Sequence, residues 1–376
     1  MLCVAAFYTA FISIRITQHD ALWFVHIGSQ FLASAHSSTV IGPKLQAQNA
    51  LGYDGQYYFA LAADPRHAHD YMQREAGIVY SRPIYSAVSR AASGGSVRAL
   101  PWAMLIVNLV AVLAGTAAVG LWLSKRGLQP WAALLYGLFP GLVVTAFRDL
   151  TEPLAFALAA IAVLTFDLAR RRLVLSAALF ALGVLTRETI VPFALAGAAA
   201  LALHDRRVPR AAAFAAATCG PLLAWRLVIS FWLHEPTQEV GHERGWILPL
   251  HGIWSWWPFD GVHWVIVLTV TLPALAAGGG ALFLLRRRSC VIAAGLLLVN
   301  VLLYVVWLPR AVEIDYSAAS RAAVGIVLAA LFCLPAWWGE LRARAPVVVG
   351  AFALSIGWYL IVAALFGFAG IDEITM

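Results

Sequence analysis

Residues 51–85 read LGYDGQYYFALAADPRHAHDYMQREAGIVYSRPIY and hold the groups best suited to chemistry. Asp54 lies between Gly52 and Gly55. Glycines there let the backbone turn sharply and present the carboxylate. A presented carboxylate can take a proton from a hydroxyl as a general base. Tyr53, Tyr57 and Tyr58 follow the pattern of rings that stack on a sugar face or sit at lipid headgroups. The same residues also fit an Asx-turn beside an interfacial aromatic belt. Residues 57–63 are apolar enough to form a short helix lying in a membrane interface.

Other polar clusters stand far from this segment in the chain. Arg148 sits beside Asp149 and Glu152, in RDLTEP. Arg187 sits beside Glu188, in TRET. Arg321 closes EIDYSAASR, with Glu313, Asp315 and Tyr316. Arginine binds phosphate through a planar fork of donors, so Arg82, Arg148, Arg187 and Arg321 can serve a phosphate. Arg74, Arg244 and Arg310 are further candidates of the same type. Acids next to arginines also fit salt bridges at the mouth of a helical bundle, and the two roles are compatible. Pro153 suits the first turn of a helix, which puts Glu152 near a helix N-terminus, where a carboxylate is favoured.

His234, His242, His251 and His263 accompany five tryptophans between Trp246 and Trp264. The histidine spacing is not that of a structural zinc site. Dense tryptophan points to a segment anchored at a membrane interface. Asp20, Asp54, Asp64 and Asp70 offer hard oxygen ligands. Arginines can meet a phosphate without a metal, so neither metal nor cofactor is expected.

The elements that must position these groups are helices in lipid. The 376-residue chain is 62% hydrophobic and 12% charged, with mean hydropathy +0.80. A soluble chain carries about twice that charged fraction. Several apolar runs of ~18–22 residues have the length that spans a bilayer as a helix. They are too long and too continuously apolar for barrel strands. The expected fold is all-α and polytopic, about eleven transmembrane helices in one integral membrane domain, 1–376. The first helix covers about 2–16 and reads as retained rather than as a signal peptide, lacking a basic start and a small-residue cleavage site. Pro140-Gly141 should kink the third helix or end it early. Gly278-Gly279-Gly280 is the one feature resembling a broken helix.

Charge sets the orientation. The net charge of +7 is carried in short basic clusters, not in a nucleic-acid-binding stripe. The clusters are 125–126, 170–172, 204–210, 286–288 and 340–344. With alternating helices all five fall on one side, the cytoplasmic one by the positive-inside rule. The N-terminus is then cytoplasmic. Segments 17–99 and 234–262 become extracytoplasmic loops, the first holding the candidate active site. The four cysteines fall within helices and have no metal-ligand spacing. The Ala-, Arg- and Trp-rich composition suggests a bacterial plasma (inner) membrane.

At this point the motifs carry a resemblance. GYDGQYYFALAADP resembles the Trp-Asp-Gly-x-Trp/Phe-Tyr-x-x-Ile-Ala pattern of the GT-C superfamily of polyprenyl-phosphate-dependent glycosyltransferases. The nearest type is the bacterial proteins similar to the second mannosyltransferase of GPI assembly and the dolichyl-phosphate-mannose mannosyltransferases. YSRPIYSAVSR is similar to the aromatic-x-Pro-Leu-Tyr-Pro segment of that group, with Arg82, Pro83 and Tyr85 matching. DLTEPLAFALAAIAVL and GVLTRETIVPFALA resemble its Ser/Thr-Glu-Pro and Leu-Thr-Arg-x-Thr segments. The likeness covers roughly the first 200 residues. The chain departs from the group in lacking an acidic pair just after the first helix, where Asp20 stands alone behind His19. Both Asp54 and Asp20 therefore remain candidate bases.

The resemblance implies a GT-C-like bundle whose large first extracytoplasmic loop carries interfacial helices. It implies inverting transfer of a sugar, a hexose such as mannose, from a polyprenyl-phosphate donor to a glycan, lipid or protein acceptor. Asp54 or Asp20 would be catalytic. Tyr53, Tyr57, Tyr58, Arg82, Tyr85, Arg148, Glu152, Arg187 and Arg321 would bind substrate. The competing classes are a membrane transporter or lipid flippase, and a non-catalytic GT-C relative. Transport sites usually lie near the bilayer midplane, whereas these charges gather at the ends of the apolar runs.

Overall fold

The structure is a computed structural model that describes residues 1–35, 47–72, 75–168, 172–203, 206–234, 249–307, 315–341 and 345–368. Among them no β-strand forms, and one isolated bridge joins Gly28 to Asn49. The helices are α1 (Leu2–Gln18), α2 (Ser29–Ala35), α3 (Gly55–Ala63), α4 (Ala76–Tyr80), α5 (Pro83–Ala92) and α6 (Leu100–Ser124). Then come α7 (Leu134–Gly137), α8 (Pro140–Phe147), α9 (Glu152–Leu168), α10 (Leu173–Thr186), α11 (Val191–Leu203) and α12 (Val208–Leu233). The rest are α13 (His251–Trp254), α14 (Gly261–Ile266), α15 (Leu272–Arg286), α16 (Val291–Trp307), α17 (Tyr316–Ala322), α18 (Val324–Leu341) and α19 (Ala345–Phe368).

Every apolar run read as a span is helical. By length and composition three helices can cross a membrane: Leu100–Ser124, Val208–Leu233 and Gly261–Arg286. The number rises to five if each bent pair, α7 with α8 and α17 with α18, counts as one span. Several others are shorter than a bilayer normally needs, including Leu2–Gln18 and Leu173–Thr186. Helices pack through small residues, which let backbones approach where lipid offers no hydrophobic driving force. Ala111, Gly115 and Ala118 of α6 are buried, as are Ala155, Ala159 and Ala162 of α9. A Cβ on Gly115 would meet the Ala157 backbone at 3.1 Å.

The breaks place the polar loops. Pro140 starts α8 and ends the helical run before it, so α7 and α8 meet at 53°. The triglycine breaks nothing. α15 runs through it, because Gly280 accepts the Trp337 ring against its backbone and Gly278 packs on Val301. The irregular stretch lies earlier, as a wide turn at Val267–Thr271. Arg321 does not stand at the start of a long helix. It occupies the last turn of α17, where a cation is favoured by the helix dipole, and α18 sets off after a 40° bend.

The described part of segment 17–99 is not a loose loop. α3 is buried on nearly all sides rather than lying half-exposed in an interface. Phe31, Tyr58, Phe59, Tyr71, Met72, Tyr80 and Tyr85 form one core that continues onto Leu100 and Met104 of α6 and Ile229 of α12. Two glycines let backbones touch. A Cβ on Gly55 would lie 2.2 Å from the Arg148 carbonyl oxygen, and one on Gly141 2.3 Å from that of Ser320. These contacts set the loops of Asp54, Arg148 and Arg321 against one another.

Gly55→Ala should therefore destabilise the protein by roughly 1–3 kcal/mol or more, the usual cost of overpacking. Gly295→Ala, inside α16, is the control, since nothing lies within 4 Å of a Cβ there. That helix-interior change should stabilise by roughly 0.5–1 kcal/mol. Thermal melts in one detergent compare them, and equal melting temperatures would contradict the packing.

Candidate functional site

The turn that carries Asp54 is tied down before any charge is considered. Residues 26–30 run beside 48–53, with Gln48 N donating to Ile27 O at 2.8 Å, Ser29 N to Asn49 O at 2.9 Å and Tyr53 N to His26 O at 2.9 Å. The buried Gln56 side chain accepts from Gly28 N at 2.9 Å and donates to Leu51 O at 3.0 Å. Gly52 has φ +74°, a value that favours glycine. The Asx-type contact belongs to Asn49, whose side-chain oxygen accepts from Gly52 N. Asp54 begins α3 but its side chain caps nothing.

The Asp54 carboxylate instead pairs with Arg321, Oδ2 accepting from Nη1 at 2.7 Å. Its side chain is 46% exposed, and no hydrogen bond reaches Oδ1 among the described residues. Arg321 also approaches Glu152, Nε to Oε1 3.8 Å. Glu152 is 1% exposed and lies 3.1 Å from Arg187 Nη1, which also donates to Thr151 Oγ1 at 3.2 Å. The Arg148 guanidinium lies 4.1 Å from the centre of the Tyr53 ring and that of Arg321 5.4 Å from it. These are cation–π contacts on one aromatic ring.

A second knot adjoins the first. Arg82 grips Glu188 through Nε and Nη2 and donates from Nη1 to Tyr58 Oη at 3.2 Å. Arg226 approaches the same carboxylate, Nη2 to Oε2 3.5 Å. Asp315 accepts from Ala318 N at 2.7 Å and so caps α17, the helix that presents Arg321. Among the described residues, Arg82, Arg187, Arg226 and Arg321 thus approach three carboxylates, Asp54, Glu152 and Glu188, while Arg148 lies on the Tyr53 ring. Asp149, fully buried, is pushed well above the usual carboxylate range by burial.

The charges set the protonation states. The enclosed position of Asp54 works against ionisation, but Arg321, with Arg187 and Arg82 further off, holds its carboxyl below the ordinary value. Burial works against Glu188 too, and the Arg82 fork brings it well below the usual range. Burial pushes the Tyr53 phenol up to about 12, so it stays protonated at neutral pH.

The structure brings Tyr53, Asp54, Arg148, Glu152, Arg187 and Arg321 into one cluster, with Arg82 in the adjoining knot. Tyr58 and Tyr85 are buried behind it, their hydroxyls engaged by Arg82 and by Asn108 Nδ2 at 2.9 Å. Tyr57 stands at the edge, its ring 5.6 Å from that of Phe31. Asp20 has no contact with this cluster among the described residues. It is exposed and caps the turn Ala21–Val25, accepting from Leu22 N at 3.0 Å. Arg226 was not singled out from the sequence. Its signal is an ionisable group inside the apolar α12, which needs a partner.

Arg74, Arg244, Arg310, Glu313, His242 and Trp246 lie outside the described residues, as do Arg170, Arg171, His204, Asp205, Arg342 and Arg344. The described part of the Trp/His loop fits an interfacial anchor. Trp254, Trp257 and Trp264 are exposed, while His263 stacks under Trp256 and holds Asp260 at 2.7 Å. No three His, Cys, Asp or Glu side chains among the described residues converge as a metal cage.

Near the opposite end of α9, Arg126 pairs with Asp167 at 2.6 Å and lies over the Trp122 ring at 3.6 Å.

Compared with protein-family models, with curated proteins and with solved structures, the chain matches none.

Arg82→Gln leaves Glu188 with Arg226 and the more distant Arg187, and removes the donor to Tyr58. The expected loss is roughly 1–3 kcal/mol, reduced from that of a fully buried pair because Glu188 is 29% exposed. Adding Glu188→Gln should restore part of it, and a cycle of melts showing simple additivity would contradict the pairing.

Proposed function

We propose that the chain is an integral membrane glycosyltransferase of the GT-C type. It transfers a hexose, such as mannose, from a polyprenyl-phosphate donor to a glycan, lipid or protein acceptor. The apolar helices support a membrane protein. In this reading about eleven segments cross a bacterial inner membrane, the N-terminus is cytoplasmic, and the arginine-rich end of the bundle faces the periplasm.

One observation carries the reading. Among the clustered acids, Asp54 combines an ionised carboxylate, a free oxygen and substantial exposure, and it sits among guanidinium groups. Glu152 is buried between two arginines and Glu188 is gripped by Arg82, so neither is placed to meet a substrate. In the proposed step the acceptor oxygen bonds to the anomeric carbon as the bond to the phosphate oxygen breaks. The acceptor proton goes to Asp54, and the lipid phosphate leaves with the electron pair. A carboxylate with a lowered pKa is a weak base towards a resting hydroxyl. It suffices when the attacking oxygen has become acidic late in the step. Arg321 then has two duties. It keeps Asp54 ionised beforehand, and once the proton arrives its pair with Asp54 weakens as charge grows on the phosphate. Arg148 and Arg187 stand in the same cluster to share that charge, as fixed cations stabilise a leaving phosphate.

The test is transfer from a panel of radiolabelled polyprenyl-phosphate sugars by purified protein in nanodiscs, with membrane extract as acceptor. Asp54→Asn should lose about 10²- to 10⁴-fold in rate, and by removing the charge that pairs with Arg321 it should also melt somewhat lower while remaining folded. Asp20→Asn should stay near wild type. Collapse in the Asp20 variant with activity kept in the Asp54 variant would move the base to Asp20. No transfer from any donor would favour a transporter, a lipid flippase or a non-catalytic GT-C relative.

A further inference from the structure

Behind the cluster lies a closed polar chamber that the proposed reaction does not use. Asp149 is 0% exposed and stands in the loop between α8 and α9 at φ +50°, a left-handed conformation that aspartate tolerates better than most residues. Tyr85 Oη, from α5, reaches Asp149 Oδ1 at 3.5 Å and Met104 O at 3.4 Å, and it accepts from Asn108 Nδ2 at 2.9 Å. Among the described residues, Asp149 Oδ2 and Asn108 Oδ1 are buried with no hydrogen-bond partner. The polar side chain in reach of Asp149 among the described residues is thus the Tyr85 phenol of α5, and that hydroxyl in turn meets an amide and a carbonyl of α6. In its own loop the Arg148 guanidinium lies against Tyr53 and Glu152 is held by Arg187. A carboxylate in such surroundings needs a cation, or it gives up its charge.

The loop held by this chamber carries much of the site. Arg148 O touches Gly55, next to Asp54, and the Arg148 side chain stacks on Tyr53. Thr151 and Glu152 hold Arg187, and Glu152 also approaches Arg321. We propose that Asp149 is a positioning residue that acts as an uncharged hydrogen-bonding group, anchoring loop 148–152 to α5 and α6 through Tyr85 and Asn108. Burial, which pushes its carboxyl well above the usual range, agrees with this role. An un-ionised acid also supplies an O–H, for which the Tyr85 hydroxyl oxygen, 3.5 Å from Asp149 Oδ1, is an acceptor. The inference rests on the proposed activity only where rates are measured.

Three variants and two readouts test it. Asp149→Asn keeps the size, the tolerance of positive φ and an uncharged hydrogen-bonding group. It should retain activity within about threefold and melt like wild type. Asp149→Gly keeps the backbone freedom and loses the hydrogen bonds, and Tyr85→Phe removes the bridging hydroxyl. Both should melt lower, and both should raise KM for the donor more than they lower kcat, as expected when bound arginines drift. Infrared difference spectra of wild type against Asp149→Asn should show the carbonyl stretch of an un-ionised carboxylic acid at neutral pH.

A carboxylate band instead, or an Asp149→Asn variant that loses activity about a hundredfold while melting normally, would overturn the proposal. So would an Asp149→Gly variant indistinguishable from wild type. The infrared and melting arms need no activity. A chain that transfers no sugar yet shows the acid band and the lowered melting would retire the glycosyltransferase reading and leave this one standing.

Discussion

A carboxylate and a guanidinium 267 residues apart in sequence meet at 2.7 Å between Asp54 and Arg321. Much of the polar architecture depends on that meeting. Neither charge would be stable among apolar helices alone, since the cost of dehydrating an ion is recovered only by close pairing. Asp54 is brought by a turn near the start of the chain and Arg321 by a short helix near its end. Glu152 and Arg187 continue the alternation of sign, and Arg82, Glu188 and Arg226 repeat it alongside. The loops must therefore close together. Gly55 against Arg148 and Gly141 against Ser320 are the places where backbone contact permits it.

Breaks in the helices matter as much as the helices. Had α7 and α8 formed one straight rod, the loop at 148 would leave the bundle in another direction. Pro140 supplies the bend, and the α17–α18 break does the same for Arg321. Tyr53 shows how far the charges reorganise their surroundings. Its ring is approached by two guanidinium groups.

Much of this was legible in the sequence, for a physical reason. Lipid forces long apolar runs into helices, so the helical segments and the bend at Pro140 could be read from hydropathy and proline alone. Ionisable residues at the ends of such runs have few places to go, which is why Asp54, Arg148, Glu152, Arg187 and Arg321 could be named together. Side-chain partnership was not legible. Nothing local says that Asn49 rather than Asp54 makes the Asx-type contact, that Arg82 is committed to Glu188, or that Arg226 completes that knot. The triglycine misled because packing against Trp337 and Val301 keeps it helical, a tertiary effect that overrides propensity. Segment 17–99 looked like a loop because its polar residues hide an aromatic core that only docking on α6 and α12 completes.

The account turns on Asp54 being an ionised base kept so by Arg321. The most direct measurement is the pH dependence of kcat for sugar transfer in wild type and in Arg321→Gln. A depressed pKa keeps the carboxylate charged as pH falls, so the wild-type rate should hold from neutrality to below about pH 4, the ordinary carboxylate value. Removing Arg321 leaves Asp54 in its enclosed position with less compensation, so the acid limb should move to higher pH. A limb that stays where it was, or moves lower, would contradict the claim that this pair sets the base.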